Sequence, residues 1–560
     1  MSLPKPSHMP GKVALVGAGP GDAGLISWRG VECLRRADAV LYDYLVNPAI
    51  LRHASAGASL ICLGRHKKPE GRGQKAEGEQ NAKGRRQKAE KCSEIHEGKE
   101  GARIWQQAEI NEELVKLARQ GQYVVRLKGG DPAVFGRLLE EVSALEAAGI
   151  AYEIVPGITA ALAAGSYAGV WITQRDVASA VALITGHEGD SEHAPPLDYA
   201  ALAAFPGTLV FYMGVTTARE WTAALMSAGK PPNTPAAIVR RCSWPDQKTI
   251  RCTLGSIVEQ LEAARMRPPV IVVVGDVVNS LSSRYRVGSP QAPRHGEVTV
   301  PESWFTGRPL FGQRILLTRP VDRTDALWQP LTELGAECLV QPAIEISAPD
   351  DWQPVDAALA RLSDFDWLVF SSVNGVQFLL DRLLATGRDV RQLAGMKLAA
   401  IGPGTAEELA NYHLRVDGQP AEVYRAEALA ELLAQDARGK KFLLARASRG
   451  REVLAETLRA AGGLVEQIVV YKSTDVAQAD PEVAAAVKAG RIDWVTVTSS
   501  AIARSVARMF GEDLRRAKIV SISPVTTAAL RELGFQPTAE AKQYTMDGVV
   551  AAILAAGGTK

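Results

Sequence analysis

The sequence predicts an α/β fold, and three observations predict it. Short β-branched runs alternate with Ala/Leu/Glu-rich stretches through residues 12–280, the rhythm of strand–helix units. A later region, 312–560, repeats its own strand blocks in the same order. Apolar residues at 46% and charged residues at 22% are ordinary for a globular chain, which excludes disordered and collagen-like architectures. At roughly 150 residues per domain, 560 residues make three or four packing units.

Strands are expected at Val13–Val16, Ala39–Tyr42, Tyr123–Leu127, Ala182–Thr185, Thr208–Met213 and Val270–Val274. Residues 66–104 differ, because Lys, Arg, Glu, Gln and Gly dominate and apolar residues nearly vanish. Such a stretch cannot bury enough surface to offset its ordering entropy, so it reads as a solvated insertion. Its mixed charges favour that reading over a nucleic-acid or lipid contact. Residues 281–311 contain Ser-Pro, Ala-Pro, Val-Pro and Arg-Pro steps without a sustained period, and read as a linker.

Beyond the linker, Arg314–Pro320 is echoed by Lys441–Ala447, Asp366–Ser372 by Asp493–Ser500, and Lys397–Ala406 by Lys518–Thr527. Each block is a strand ending in a Ser/Thr/Gly-rich turn that starts a helix. Two similar parallel-sheet lobes with a ligand cleft between them are therefore expected in 312–560.

Several functions are disfavoured. No apolar run approaches the ~20 residues of a membrane span, and the polar, Pro-rich Met1–Lys12 lacks the core of a signal peptide. Six cysteines lie scattered without a CxxC or a Cys/His cluster, so neither a disulfide framework nor a metal is expected, and a reducing cytoplasm is the simple setting. A net charge of +2 argues against a nucleic-acid surface. An anionic small substrate would need a local basic pocket.

Gly17, Gly19 and Gly21 follow the first strand and invite a dinucleotide-binding reading. It fits poorly, because Pro20 stiffens the loop and Asp22 stands where that motif has its last glycine. Asp22 reads instead as a helix N-cap. Arg126–Arg137 packs turn residues, basic residues and Pro132 beyond a strand, and Pro156–Ala160 and Phe211–Gly214 also follow strands, where open α/β sheets gather ligands. His187, at another strand end, is either hydrogen-bonded framework or part of a site. In the repeated region there is no G-x-S-x-G, and His413 is the lone histidine. Ser371, Ser372, Thr405, Ser499, Ser500, Thr526 and Thr527 lie in turns after strands, as plain helix caps or as anion-binding hydroxyls at helix starts.

Gly19–Asp22, Ala37–Val46, Arg126–Arg137, Pro156–Ala160, Thr185–His187 and Tyr212–Gly214 together resemble uroporphyrinogen-III C-methyltransferase, of the tetrapyrrole methylase family. The resemblance spans 12–280 apart from the insertion. It implies two α/β lobes with S-adenosylmethionine between them, and two methyl transfers, to C2 and C7 of uroporphyrinogen III, giving precorrin-2. Pro20, Gly129, Gly130, Asp131, Val134, Thr159, Ala160 and Met213 would line the donor site. Asp43 matches the family's proposed proton acceptor, and Arg137 and Glu140 match residues near the reacting carbon. Since an arginine base would need an extreme pKa shift, Arg137 is assigned mainly to clamping carboxylates. The chain departs from the family at Arg65, which replaces a lysine proposed as a proton donor and scarcely releases a proton, and at Cys242, which replaces a glycine.

Leu317–Pro320, Phe370–Val376, Ala400–Thr405, Val470–Tyr471, Thr498–Ser500 and Ser523–Thr526 resemble uroporphyrinogen-III synthase over 312–555. The implied reaction closes linear hydroxymethylbilane with inversion of ring D and loss of water. Arg319 and the Ser/Thr turns would hold substrate, and Tyr471 would assist the departing hydroxyl or else simply cover the sheet edge. The resemblances imply a tetrapyrrole methylase at 12–280 joined by 281–311 to a synthase at 312–560. Partners would be small tetrapyrroles, with no nucleic acid and no membrane, and a homodimer would form through the methylase half. Siroheme and cobalamin both stay open as destinations of precorrin-2. Two rivals stand beside this reading, a nucleotide-dependent oxidoreductase and a methyltransferase whose second half only binds.

Overall fold

β1 (Lys12–Gly17), β2 (Ala39–Tyr42), β3 (Ser59–Cys62), β4 (Tyr123–Lys128) and β5 (Ala151–Val155) form a wholly parallel sheet in the order β3-β2-β4-β1-β5. Helices cover both faces, so Val13, Ala14, Leu15 and Val16 are all fully buried and the strand reads as one apolar run. This is a computed structural model that describes residues 11–64, 105–186, 197–279, 303–320, 325–421, 424–450 and 452–557. Arg65, the expected insertion 66–104, His187 and most of the expected linker lie outside the described residues.

The second sheet contains β6 (Val181–Thr185), β7 (Thr208–Tyr212), β8 (Pro235–Arg240), β9 (Lys248–Thr253) and β10 (Val270–Val274), ordered β6-β7-β10-β8-β9. Strand–helix alternation suggests parallel pairing, yet only β6 and β7 pair that way. The turn 241–247 between β8 and β9 is too short for a crossover helix, so those strands pair antiparallel.

At the strand-start end of the first sheet, Glu153 accepts hydrogen bonds from Arg29 at 2.8 Å, Tyr123 at 2.8 Å and Cys33 at 3.3 Å, and pairs with Lys12 at 3.1 Å. Burial works against its charge, but these donors hold the carboxyl down at about 2. A depressed carboxyl stabilises the fold above its unfolded pKa, and that share is lost as pH falls from about 4.5 toward 2. Glu153→Gln is expected to cost about 1 kcal/mol near neutral pH, allowing for the exposure of Arg29 and Lys12. Urea unfolding of parent and variant should show the gap closing near pH 3. A gap that does not change with pH would rule the network out as its source.

The second half contains β11 (Arg314–Leu317), β12 (Glu337–Val340), β13 (Ile344–Ser347), β14 (Trp367–Phe370), β15 (Lys397–Ala400), β16 (Lys441–Ala447), β17 (Leu464–Asp475), β18 (Trp494–Val497), β19 (Lys518–Ser521) and β20 (Ala539–Glu540). They form two sheets, β12-β11-β18-β19-β20 and β13-β17-β16-β14-β15. The sequence repeat is real in three dimensions but interlaced. In each sheet the first block of one repeat pairs with the second block of the other, which pairs in turn with its own third block, as β11-β18-β19 and β16-β14-β15.

The two sheets share contacts as well as order. Asp493 accepts from the Arg314 amide at 2.7 Å, and Asp366 accepts from the Lys441 amide at 2.8 Å. Lys518 lies over Trp494 at 5.3 Å, and Lys397 over Trp367 at 5.2 Å. The long strand β17 pairs first with β16 and then antiparallel with β13, and these two strands carry the chain between the lobes.

The described end of the expected linker is packed. Phe305 is buried among Val239, Ile271 and Val273, and Leu310 is buried with Leu327 and Leu331 of the second half. Between them, the Arg308 guanidinium lies 4.3 Å over the Phe305 ring and donates to the carbonyls of Thr332 and Glu333. Arg52, from the first half, lies 4.6 Å over Trp328.

Candidate active sites

The carboxyl ends of β1, β4 and β5 meet backbone to backbone. Ala18 and Gly19 donate to the carbonyls of Lys128 and Gly130, and Gly130, in the left-handed region, donates back to Gly19 at 2.8 Å. A Cβ on Gly157 would sit 2.2 Å from the Gly130 oxygen, so no larger residue fits at this junction. Asp131 braces the arrangement, since one oxygen accepts from the Ala133 amide and the other from the Gly157 amide at 2.9 Å.

The second lobe closes on these loops. Tyr212, half-buried so that desolvation pushes its phenol up, bonds Thr159 Oγ1 at 2.7 Å and accepts from the Ala161 amide. Its ring lies 5.1 Å from Phe135. Met213 follows at positive φ and is 51% exposed. The Trp244 indole donates to the Pro20 carbonyl, Ser243 accepts from the Asp22 amide, and Tyr167 donates to Asp22 at 3.0 Å. Asp22 also takes the capping bond from Gly24 that its position suggested. Cys242, at the end of β8, is buried, and burial pushes its thiol up to about 12.

Asp43 stands just past β2, beside these loops, with its side chain 30% exposed. Its Oδ1 accepts from Arg126 at 2.6 Å. Arg126 also donates to Glu141 at 2.8 Å, and Lys128 donates to the other Glu141 oxygen at 2.7 Å. Glu141 is fully buried, and Arg126 and Lys128 are nearly so. Burial alone would lower the Arg126 pKa, but Asp43 and Glu141 outweigh it and raise it. Burial and the Arg126 charge push Lys128 below its ordinary value despite Glu141.

Arg137 and Glu140 form a separate, exposed pair at 2.7 Å at the start of the helix Leu138–Ala147, with Arg137 at positive φ. The structure thus brings Pro20, Gly129, Gly130, Asp131, Val134, Thr159, Ala160 and Met213 to the loops between the two lobes. Sequence reading does not single out Glu141 or Tyr212. The available signal for Glu141 is its place four residues before Leu145, the other buried position of that helix.

The lining of these loops decides whether they fit S-adenosylmethionine. Backbone groups, a hydroxyl and small apolar side chains line them, and the nearby buried charges already balance one another. Such a lining suits a donor that carries its own positive sulfur and a zwitterionic end. Among the described residues, no three His, Cys, Asp or Glu side chains gather as metal ligands, and no helix is long and apolar enough to cross a membrane.

In the second half, Ser372 and Ser499 cap the helices Val373–Ala385 and Ser500–Phe510, accepting from Gly375 and Ile502. Ser371 is exposed, while Thr405 and Thr526 are buried in the first turns of their helices. The helix-cap reading therefore describes Ser372 and Ser499, whereas Ser371 leaves its hydroxyl to solvent. Tyr471 is 7% exposed, its hydroxyl 3.0 Å from Ser372 Oγ and its ring against Phe378. Arg319 donates to Met546 Sδ. At the end of β17, Asp475 lies between Arg449 at 2.5 Å and Arg508 at 2.9 Å, which hold its carboxyl down against burial. These two cations stand where the chain crosses between lobes.

Comparison with known proteins gives two families. Residues 12–258 match the tetrapyrrole (corrin/porphyrin) methylases, and residues 325–551 match uroporphyrinogen-III synthase HemD. A porphyrin biosynthesis protein HemD of Ruminiclostridium josui is 31% identical over 552 residues, covering 98% of both chains. A uroporphyrinogen-III C-methyltransferase of Bacillus subtilis is 34% identical over 400 residues, 71% of both chains. One of Methanocaldococcus jannaschii is 38% identical over 277 residues, 49% of this chain and 100% of that one.

Proposed function

Because the chain belongs to the tetrapyrrole methylase family through its first half and to the uroporphyrinogen-III synthase family through its second, we propose that it performs two consecutive reactions. It closes hydroxymethylbilane to uroporphyrinogen III with inversion of ring D, then methylates that product at C2 and C7 to give precorrin-2. The carrying observation is that one chain holds both families' motif sets and aligns with a single relative over 98% of each.

In the methylase, taken as 12–280, Pro20, Gly129, Gly130, Asp131, Val134, Thr159, Ala160 and Met213 hold the donor. When bound, S-adenosylmethionine supplies a methyl group on a positively charged sulfur. Asp43 accepts the meso proton as the adjacent ring carbon gains its bond to the methyl. Its support is a carboxylate held at one oxygen yet 30% exposed at the rim of the donor loops. Arg137, exposed beside Glu140, clamps a substrate carboxylate.

In the synthase, taken as 312–560 after a linker, the task is to hold a substrate that closes unaided to the wrong isomer. Many hydrogen bonds and few acids suit it. Arg319, Ser371, Ser372, Thr405, Ser499, Ser500 and Thr526 hold the substrate, and Tyr471 assists the departing hydroxyl. A cytoplasmic location and a homodimer through the methylase half complete the proposal.

The test is anaerobic incubation of the purified chain with hydroxymethylbilane and methyl-labelled donor. Isomer III and two labels per tetrapyrrole are expected, and in Tyr471→Phe closure should slow about tenfold, the worth of one hydrogen bond. Absence of both products overturns the proposal. An unchanged rate and III:I ratio in Tyr471→Phe removes that residue from it.

A further inference from the structure

The charges behind Asp43 form a linear chain of three ion pairs. Asp43 bonds Arg126, Arg126 bonds Glu141, and Glu141 bonds Lys128, at 2.6, 2.8 and 2.7 Å. Two carboxylates face two cations, and three of the four side chains are 4% exposed or less. Arg126 and Lys128 are two apart on β4 and so project from the same face of the sheet, while Glu141 reaches them from the covering helix.

Each of the three Arg126 guanidinium nitrogens makes a hydrogen bond. Its Nε donates to Glu141, its Nη1 to the Leu127 carbonyl at 3.2 Å, and its Nη2 to Asp43. A free arginine grips a carboxylate with two parallel bonds and occupies both oxygens. Here Glu141 takes the Nε that a side-on grip would use, and the Leu127 carbonyl engages the Nη1 that an end-on grip would use. Asp43 is left with one bond from its side chain, and its Oδ2 accepts no hydrogen bond among the described residues. The Asp43 amide donates to the same Leu127, so main chain and side chain are both tied to β4.

We propose that Glu141 is a positioning residue for methyl transfer: by holding Arg126 to a single bond, it leaves one oxygen of Asp43 free for the substrate proton. Lys128 balances the charge that this requires in the interior. The inference rests on Asp43 being the proton acceptor.

Glu141→Gln keeps the shape but removes the charge, leaving two buried cations against one carboxylate. Its methylation kcat is expected to fall about 100-fold, the usual effect of a misplaced reacting group. KM and calorimetric affinity for the donor should hold, which reports that the first half folds, and isomer III formation by the same chain reports on the second half. Glu141→Gln combined with Lys128→Gln restores the balance, and should recover about tenfold of the lost kcat.

A Glu141→Gln kcat within about twofold of the parent overturns the proposal. So does a balanced pair no faster than the single variant. Should the single variant fail to fold, the balanced pair is compared with the parent, and methylation at the parental kcat with donor binding intact overturns the proposal. Asp43→Asn run alongside separates the two readings. If it methylates normally, the assignment of Asp43 falls, whereas an inactive Asp43→Asn beside a normal Glu141→Gln sinks only the role of Glu141.

Discussion

Asp43→Asn is expected to slow methyl transfer by about 10²- to 10⁴-fold, the range for removing a positioned acid or base, while closure to isomer III continues at the parental rate. The amide oxygen still accepts from Arg126, so the side chain keeps its anchor and its volume. What disappears is the charge of the carboxylate, whose Oδ2 accepts no hydrogen bond among the described residues. Donor affinity should be unchanged, because the loops joining Gly19, Gly130 and Gly157 do not involve this side chain. A single-turnover experiment with labelled donor and preformed uroporphyrinogen III isolates the step from bilane closure. A near-normal rate there removes Asp43 from the chemistry.

Much of this was legible because it is written in local signals. A strand buried on both faces is an apolar run, so β1 and β10 could be read directly. Asp22 and Ser372 cap helices for the reason that short polar residues before a helical stretch usually do. The glycines that close the junction after β1, β4 and β5 could be read because glycine demands are positional. What escaped depends on non-local pairing. The repeat blocks are similar strands in both copies, so nothing local tells β18 to lie beside β11 rather than β16. Interlacing follows from where β13 and β17 cross between lobes, which is a tertiary fact.

Glu141 was hidden for a related reason. It follows another glutamate, and only the packing of the helix Leu138–Ala147 decides that Glu140 faces solvent with Arg137 while Glu141 is buried between two cations. Trp304 and Phe305 sit in a stretch whose prolines and charges suggest linker, yet both rings pack against Tyr167 of the methylase half. Isolated aromatics carry no period, so composition cannot distinguish an anchor from a spacer.

Gly157→Ala is the second large effect, and it addresses the donor rather than the proton. The added Cβ would lie 2.2 Å from the Gly130 oxygen and 2.8 Å from Gly17 Cα. Both are backbone atoms, and no rotamer relieves them. The loops after β1, β4 and β5 must part, breaking the reciprocal Gly19–Gly130 bonds and the Asp131 brace. Overpacking of this kind costs about 1–3 kcal/mol. Because the strain falls on the donor loops, it should appear as donor affinity weakened by about 100-fold, near the upper end of that range. Gly165→Ala is the matched control, since its Cβ would meet nothing closer than 3.9 Å and it lies in the helix Ala160–Ala168 of the same half. It should bind donor within about twofold of the parent. Calorimetry with S-adenosylhomocysteine reads both, and isomer III formation by each variant reports on the second half. Equal affinities in the two variants would mean that the glycine junction does not shape the donor site, and the residues assigned to that site would have to be sought elsewhere between the lobes.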